Sequence, residues 1–210
     1  MINVVIADDH PIVRAGLKQI ITEEADIAVA GEASNGLELL NLVRQHEYDV
    51  ILLDLTMPGM DGLDVLKQLR IEKPRLPVVI LTIHPESQYA LRILKAGASG
   101  YLTKASADEE LIGAIRKVHR GGKYISPSLA EKIAFALDED ASKPPHETLS
   151  DREYQVLCLI GSGKTVSQIA DALALSVKTV STYRARILEK MHLQNNAELI
   201  HYAVQNGLVE

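Results

Sequence analysis

Tryptophan is absent, and phenylalanine and cysteine occur once each in 210 residues. The lone Cys158 excludes an internal disulfide framework and fits a reducing cytosol. Cys–His zinc spacing is missing as well. No apolar run approaches the roughly 20 residues of a membrane span, so no membrane partner is expected. The start of the chain runs from Met1-Ile2-Asn3 through Val4-Val5-Ile6 into Asp8. It carries neither a basic leader nor a small-residue cleavage site, so a cytoplasmic location is expected. The remainder is ordinary globular material, 47% hydrophobic and 24% charged. Its length suits one large domain or two small ones.

The net charge of −6 argues against a nucleic-acid partner until the chain is divided. Residues 1–121 hold 13 basic and 17 acidic side chains, residues 122–147 hold 3 and 5, and residues 148–210 hold 6 and 6. Within the last piece, Lys178, Arg184, Arg186 and Lys190 face only Glu189 across residues 176–192. Phosphate binding follows this local field rather than the total.

The first half alternates short apolar runs with helical spacing. Strands are expected over 2–7, 27–33, 50–53, 78–81 and 100–102. Helices are expected after His10-Pro11, around Leu37–Val43, around Leu63–Leu69, weakly from Tyr89 to Leu94, and around Leu111–Val118 until Gly121-Gly122. Near-continuous apolar strands between helices imply an α/β fold, a doubly wound five-stranded parallel sheet covered on both faces. Ligands in such sheets bind beyond the carboxyl ends of the strands. Those ends carry Asp8 and Asp9, Asp54, Thr82 and Lys104.

Taken singly, each Asp could merely cap a helix or open a loop; the set at one rim needs another reason. Carboxylates about 4 Å apart repel by roughly 4 kcal/mol at an effective dielectric near 20. A divalent cation relieves this, and oxygen ligands without histidine favour Mg²⁺. Asp54 can then act as a carboxylate nucleophile toward a phosphoryl group. Lys104 neutralises phosphoryl oxygens, and the Thr82 hydroxyl donates to one of them.

Asp8-Asp9, the run Asp54-Leu55-Thr56-Met57-Pro58-Gly59-Met60-Asp61-Gly62, Leu81-Thr82 and Gly100-Tyr101-Leu102-Thr103-Lys104 resemble the receiver domain of two-component response regulators, over about residues 1–121. The resemblance implies a flavodoxin-like fold and Asp54 as acceptor of phosphate from a sensor histidine kinase. It implies Asp9, Asp54 and the Thr56 main-chain carbonyl as Mg²⁺ ligands, with Asp8 acting through water. Thr82 and Tyr101 would form a switch pair, the ring swinging inward as the hydroxyl moves to the phosphoryl group. Many members have proline after the rim lysine, where Ala105 stands here. A cis bond there would cost about 3–4 kcal/mol without proline, so cis and trans both stay open. Thr56 and His84 flank the pocket at positions that vary in the family, and His84 is read as a loop residue.

Gly121-Gly122-Lys123 closes the first domain. Residues 122–147 are read as a linker, with a helix near 126–137 and a stiff, charged tether after it. From 148 to 210 the punctuation predicts four helices, over 151–160, 166–173, 177–191 and 196–206. Ser150 with Glu153, Thr165 with Gln168, and Asn195 with Glu198 have capping-box spacing, and Ser176 can cap the third helix. The second and third helices form a helix-turn-helix. At about 100° per residue, Val177, Val180, Ile187, Leu188 and Met191 share one stripe of the third helix. Lys178, Ser181, Thr182, Ala185 and Glu189 lie opposite, short enough for a major groove. Arg184 points into the stripe and is read as an internal ion pair with Glu153.

Leu149-Ser150-Asp151-Arg152-Glu153, Ile169-Ala170, Leu175-Ser176, Lys178-Thr179-Val180 and Ala197-Glu198-Leu199 resemble the LuxR-type helix-turn-helix. Joined to a receiver, this is similar to the NarL/FixJ group, and Tyr183-Arg184 resembles its global-regulator branch. The resemblance implies DNA contacts from Lys178, Thr179, Ser181, Thr182, Tyr183, Ala185, Arg186 and Lys190. It implies a dimer contact through Leu199, Ile200, Ala203 and Val204. The phosphorylated homodimer would bind double-stranded promoter DNA at inverted half-sites roughly 34–36 Å apart or a multiple of that.

The expected function is a cytosolic transcriptional regulator gated by phosphate on Asp54, catalytic only on itself. A phosphatase using Asp54 is disfavoured because Thr56 stands where such enzymes usually place a second Asp. A protein-binding module and DNA binding independent of phosphorylation are the other readings.

Overall fold

The computed structural model describes residues 1–83, 86–126, 129–130 and 144–209, without the side chains of 86–89. His84 and most of the helix expected near 126–137 lie outside the described residues. The chain divides into two compact units, Met1–Ile133 and Ala134–Glu210.

In the first unit β1 (Ile2–Ala7), β2 (Ile27–Ala33), β3 (Val50–Asp54), β4 (Val78–Thr82) and β5 (Gly100–Thr103) alternate with helices. These are α1 (Pro11–Thr22), α2 (Gly36–Gln45), α3 (Gly62–Glu72), α4 (Glu86–Lys95) and α5 (Ala107–His119). The strand order is β2-β1-β3-β4-β5 and every pairing is parallel. This is the doubly wound flavodoxin-like sheet, with its switch point between β1 and β3.

Helices on both faces bury β3 and β4 along their whole length, which is why those strands read as unbroken apolar runs. Val4, Ile6, Leu52 and Leu81 pack with Leu111 and Ile115 of α5 in one core. Each such side chain contributes about 1.5–3 kcal/mol on burial. Pro11 opens α1, and the Asn35 and Asp61 side chains cap α2 and α3. Helix α5 places acids in its first turn and bases in its last, matching its dipole.

The domain does not stop at Gly121. Tyr124 bridges to Gly100 at the β5 edge, and its hydroxyl donates to Glu110 at 2.9 Å. Sequence punctuation marks Gly121-Gly122 as a helix end but carries no sign of this non-local pairing.

The second unit begins with a 3-10 turn, Pro145–Thr148. Four helices follow: α6 (Asp151–Gly161), α7 (Val166–Ala172), α8 (Val177–Lys190) and α9 (Asn196–Gln205). The boxes at Ser150/Glu153 and Thr165/Gln168 are complete. At the third, Asn195 accepts from the Glu198 amide, but the Glu198 carboxylate turns to the Gln194 amide and the Asn195 side chain. Ala174 adopts φ 52°, and the Leu175 amide closes onto the Ala170 carbonyl at 2.8 Å, ending α7 and aiming α8. Val180 and Ile187 of α8 are fully buried, as are Leu157, Ile169 and Leu199, and α6 and α7 both pack against α8.

Val177 departs from the expected stripe and is 51% exposed. It sits in the first turn of α8, where helical phase still points inward but no neighbouring helix covers it.

Candidate functional site

The carboxyl ends of β1, β3, β4 and β5 converge as the strand pattern requires. Asp8 follows β1 and Asp54 ends β3, and both are nearly inaccessible, at 1% and 3% exposure. Asp9 is more open. Lys104, just beyond β5, places Nζ 2.8 Å from Asp54 Oδ2 and 2.7 Å from Asp8 Oδ2. Its own amide donates to the Thr82 carbonyl at 2.8 Å, tying the β4 and β5 ends together. The Thr56 amide lies 3.3 Å from Asp54 Oδ1. Arg14 reaches from α1 to the Asp8 carbonyl at 2.7 Å and fixes the turn.

Gly62 makes this packing possible: a Cβ there would lie 2.3 Å from the Asp54 carbonyl oxygen. Its amide donates to the Leu55 carbonyl, folding the loop after β3 back against the rim.

The electrostatics are tense. Burial raises the Asp54 pKa above its ordinary value, the bond and charge of Lys104 oppose it, and Asp8 adds to the rise. Burial disfavours the Lys104 charge, but its bonds to Asp54 and Asp8 prevail and raise its pKa.

Asp8, Asp9, His10 and Asp54 offer ligand atoms that all lie within 4.8 Å of one another. The donors fit a hard divalent cation, since three of the four are carboxylates and at least two of those are buried. His10 corrects the expectation of a histidine-free rim. Its Nδ1 lies 2.7 Å from Asp9 Oδ1, while its amide donates to Asp8 Oδ1 at 2.8 Å. Adjacency to Asp8-Asp9 was the available signal, masked by the reading of His10-Pro11 as a helix start.

Thr82 is inaccessible, and the Tyr101 ring is already inside at 1% exposure. The Lys104–Ala105 bond is trans, since there is no cis peptide among the described residues.

In the second unit, Lys178, Ser181, Thr182, Ala185, Arg186 and Lys190 are exposed on α8, with Thr179 and Tyr183 half-buried. Lys178, Thr179, Thr182, Tyr183 and Arg186 line one open depression. The Ser181 and Thr182 hydroxyls donate back to the Val177 and Lys178 carbonyls, at 2.9 and 3.0 Å. They therefore present methylene, methyl and lone pairs outward rather than a free donor.

Two expected placements are corrected. Glu153 pairs with Lys190, Oε2 to Nζ 2.6 Å, and not with Arg184. Arg184 Nε instead donates to the Asn196 side chain at the start of α9. Lys190 meets Glu153 because α8 packs along α6, a contact that local pattern does not encode.

Leu199 and Ala203 are fully buried within their own unit, so they cannot face a partner, whereas Ile200 and Val204 are 37% and 55% exposed. For Ala203 the close approach of α6 explains it: a Cβ on Gly161 would lie 2.7 Å from the Ala203 Cβ.

No helix among the described residues is long and apolar enough to cross a membrane. Residues 4–116 match the family described as the response regulator receiver domain, and residues 147–203 match the LuxR family of bacterial regulatory proteins. The response regulator UvrY of Escherichia coli K12 is 37% identical over 209 residues, covering 99% of this chain and 96% of that protein. The response regulator GacA of Pseudomonas aeruginosa is 38% identical over 211 residues, covering 100% and 99%. Among solved structures, RcsB from Salmonella enterica serovar Typhimurium, bound to promoter rprA with the phosphomimetic BeF3⁻, is 29% identical. It matches with a TM-score of 0.65 over 96% of this chain and 98% of that one. A five-stranded receiver whose strand ends gather Asp8, Asp54 and Lys104, followed by a LuxR-type helix-turn-helix, places the chain in the NarL/FixJ group of two-component response regulators.

Proposed function

We propose that this protein is a cytoplasmic transcription regulator switched by phosphoryl transfer to Asp54. Residues 1–121, extended by the segment that carries Tyr124, receive the signal, and 148–210 bind promoter DNA as a homodimer. The carrying observation is the buried Asp54 carboxylate held 2.8 Å from the Lys104 ammonium beside Asp8.

The phosphodonor is a phosphohistidine on a sensor kinase. A carboxylate oxygen of Asp54 attacks phosphorus, an O–P bond forms, the P–N bond breaks, and the imidazole leaves. Lys104 loses its ion pair with Asp54 as the carboxylate becomes an acyl phosphate, and its ammonium follows the charge to the phosphoryl oxygens. Thr82 donates its hydroxyl to one of them, and the buried Tyr101 ring fills the space beside it. Asp9, Asp54 and the Thr56 carbonyl would hold Mg²⁺, with Asp8 acting through water; when bound, the ion supplies neutralisation of phosphoryl charge. The protein acts as an enzyme only on its own Asp54.

Lys178 and Arg186 flank the outward face of α8 and meet DNA phosphates, while Thr179, Ser181, Thr182, Tyr183 and Ala185 lie toward the groove. Lys190, neutralised by Glu153, contributes little to that field. Ile200 and Val204 form the exposed part of the dimer contact. The solved RcsB complex with promoter DNA supports this mode of binding by analogy of family.

DNA affinity of wild type and Asp54→Ala, each treated with a small phosphodonor and Mg²⁺, tests the gate. Wild type binds more tightly after treatment and Asp54→Ala does not respond; equal affinities contradict gating.

A further inference from the structure

A second charged concavity lies at the opposite end of the receiver sheet. Pro77 and Ser99 immediately precede β4 and β5, so it sits where strands begin, whereas Asp54 sits where β3 ends. This cavity, of about 320 Å³, is lined by Arg70, Arg75 and Lys123 together with Gly97, Ser99 and Gly121, and no Asp or Glu lines it. A neighbouring groove of about 500 Å³ shares Arg75 and adds Lys73 and His119, but Glu47, Asp49 and Glu72 also line it and Glu47 pairs with Lys73.

Arg70 and Lys123 are positioned without being neutralised. Arg70 donates to the carbonyls of Pro74, at 2.9 Å, and Leu76. Its stem lies over Gly97, where a Cβ would come within 2.8 Å of the Arg70 Cδ. Lys123 donates to the Ala98 carbonyl. Carbonyl oxygens orient these groups but carry no net charge. Among the described residues, none of the three forms an ion pair with a carboxylate. Arg70 Nε is buried without a hydrogen-bond partner. Burial, and then the charge of Arg70, lower the Lys123 pKa; burial alone lowers that of Arg70. Like charges held together, with Arg70 half-buried among them, are relieved by an anion.

We propose that this cavity binds a small phosphate-bearing anion. Its volume is that of a small-molecule site, and the carboxylates of the adjoining groove confine the anionic groups of the ligand to this cavity. A long polyanion is disfavoured, because residues 1–121 carry 17 acidic against 13 basic side chains. The ligand would join three connections: the turn after α3, the turn before β5, and the segment leaving α5. It would thereby stabilise the receiver from the side remote from phosphorylation.

The test uses full-length Asp54→Asn protein in EDTA, so that the acidic rim contributes no phosphate chemistry. Sodium pyrophosphate is added while the amide signals of Gly97, Ser99 and Gly121 and the Tm are followed. Saturable shifts at those amides and a rise in Tm are expected. Arg75→Gln and Lys123→Gln, both at solvent-exposed positions, each weaken the affinity by at least about tenfold. The proposal is overturned by shifts confined to residues 178–186, by equal effects from sodium chloride at matched ionic strength, by unchanged affinity in both variants, or by no saturation up to about 10 mM.

Discussion

Lys104 and Asp54 share a 2.8 Å contact, Nζ to Oδ2, between the tips of β5 and β3, and the same ammonium lies 2.7 Å from Asp8. One cation thus holds two buried carboxylates that would otherwise repel. The resting rim keeps an excess of negative charge that one lysine only partly offsets, and that charge changes when Asp54 is esterified.

Lys104→Met leaves Asp8 and Asp54 facing each other without a counter-ion. The receiver is expected to lose about 3 kcal/mol of stability at neutral pH in EDTA, the scale for breaking a buried pair. Mg²⁺ restores part of the loss by binding the folded state. Urea unfolding with and without the ion measures both effects; unchanged stability in EDTA contradicts the account.

The second unit carries its own titrating contact. Glu153 is disfavoured in its charged form by burial, but Lys190 and the Ser150 bonds prevail and hold its pKa below the ordinary 4.5. A depressed carboxyl contributes stability above its unfolded pKa and loses it as pH falls through the folded value. The Tm of Glu153→Gln is therefore expected to lie below wild type at pH 7, with the gap closing as pH falls below about 4. Thermal melts across that range check the sign.

Arg184 and Arg186 are two residues apart but are expected to act differently. Arg184→Ala removes the bond to Asn196 and is expected to cost about 1–2 kcal/mol of stability with little change in sequence preference. Arg186→Ala leaves stability intact, weakens DNA binding across sequences and reduces the salt slope by about one. Melting curves and salt titrations of DNA binding separate the two.

The same separation applies to α9. Leu199→Ala cuts into the core and is expected to cost about 2–5 kcal/mol. Val204→Asp leaves the monomer's Tm close to wild type but weakens self-association and binding to two half-sites. Analytical ultracentrifugation and DNA titrations distinguish loss of fold from loss of pairing.

Much of the rim was legible because a parallel sheet converts chain order into position. A polar residue ending each apolar run must arrive at one edge, so Asp8, Asp54, Thr82 and Lys104 could be placed together from spacing alone. The cap residues Ser150, Thr165 and Ser176 were legible for the same local reason. Contacts between separate elements were not. Lys190 meets Glu153 only because α8 lies along α6, and Ala203 is taken inward because Gly161 lets α6 approach α9. Helical phase marks Val177 as inward, but it does not record where the neighbouring helices end.

The most direct measurement is intact and peptide mass analysis of the full-length protein after exposure to acetyl phosphate and Mg²⁺. A single phosphoryl adduct that maps to Asp54, and that Asp54→Asn and chelation of the ion both abolish, is the predicted result. No adduct, or one that persists in Asp54→Asn, would contradict it.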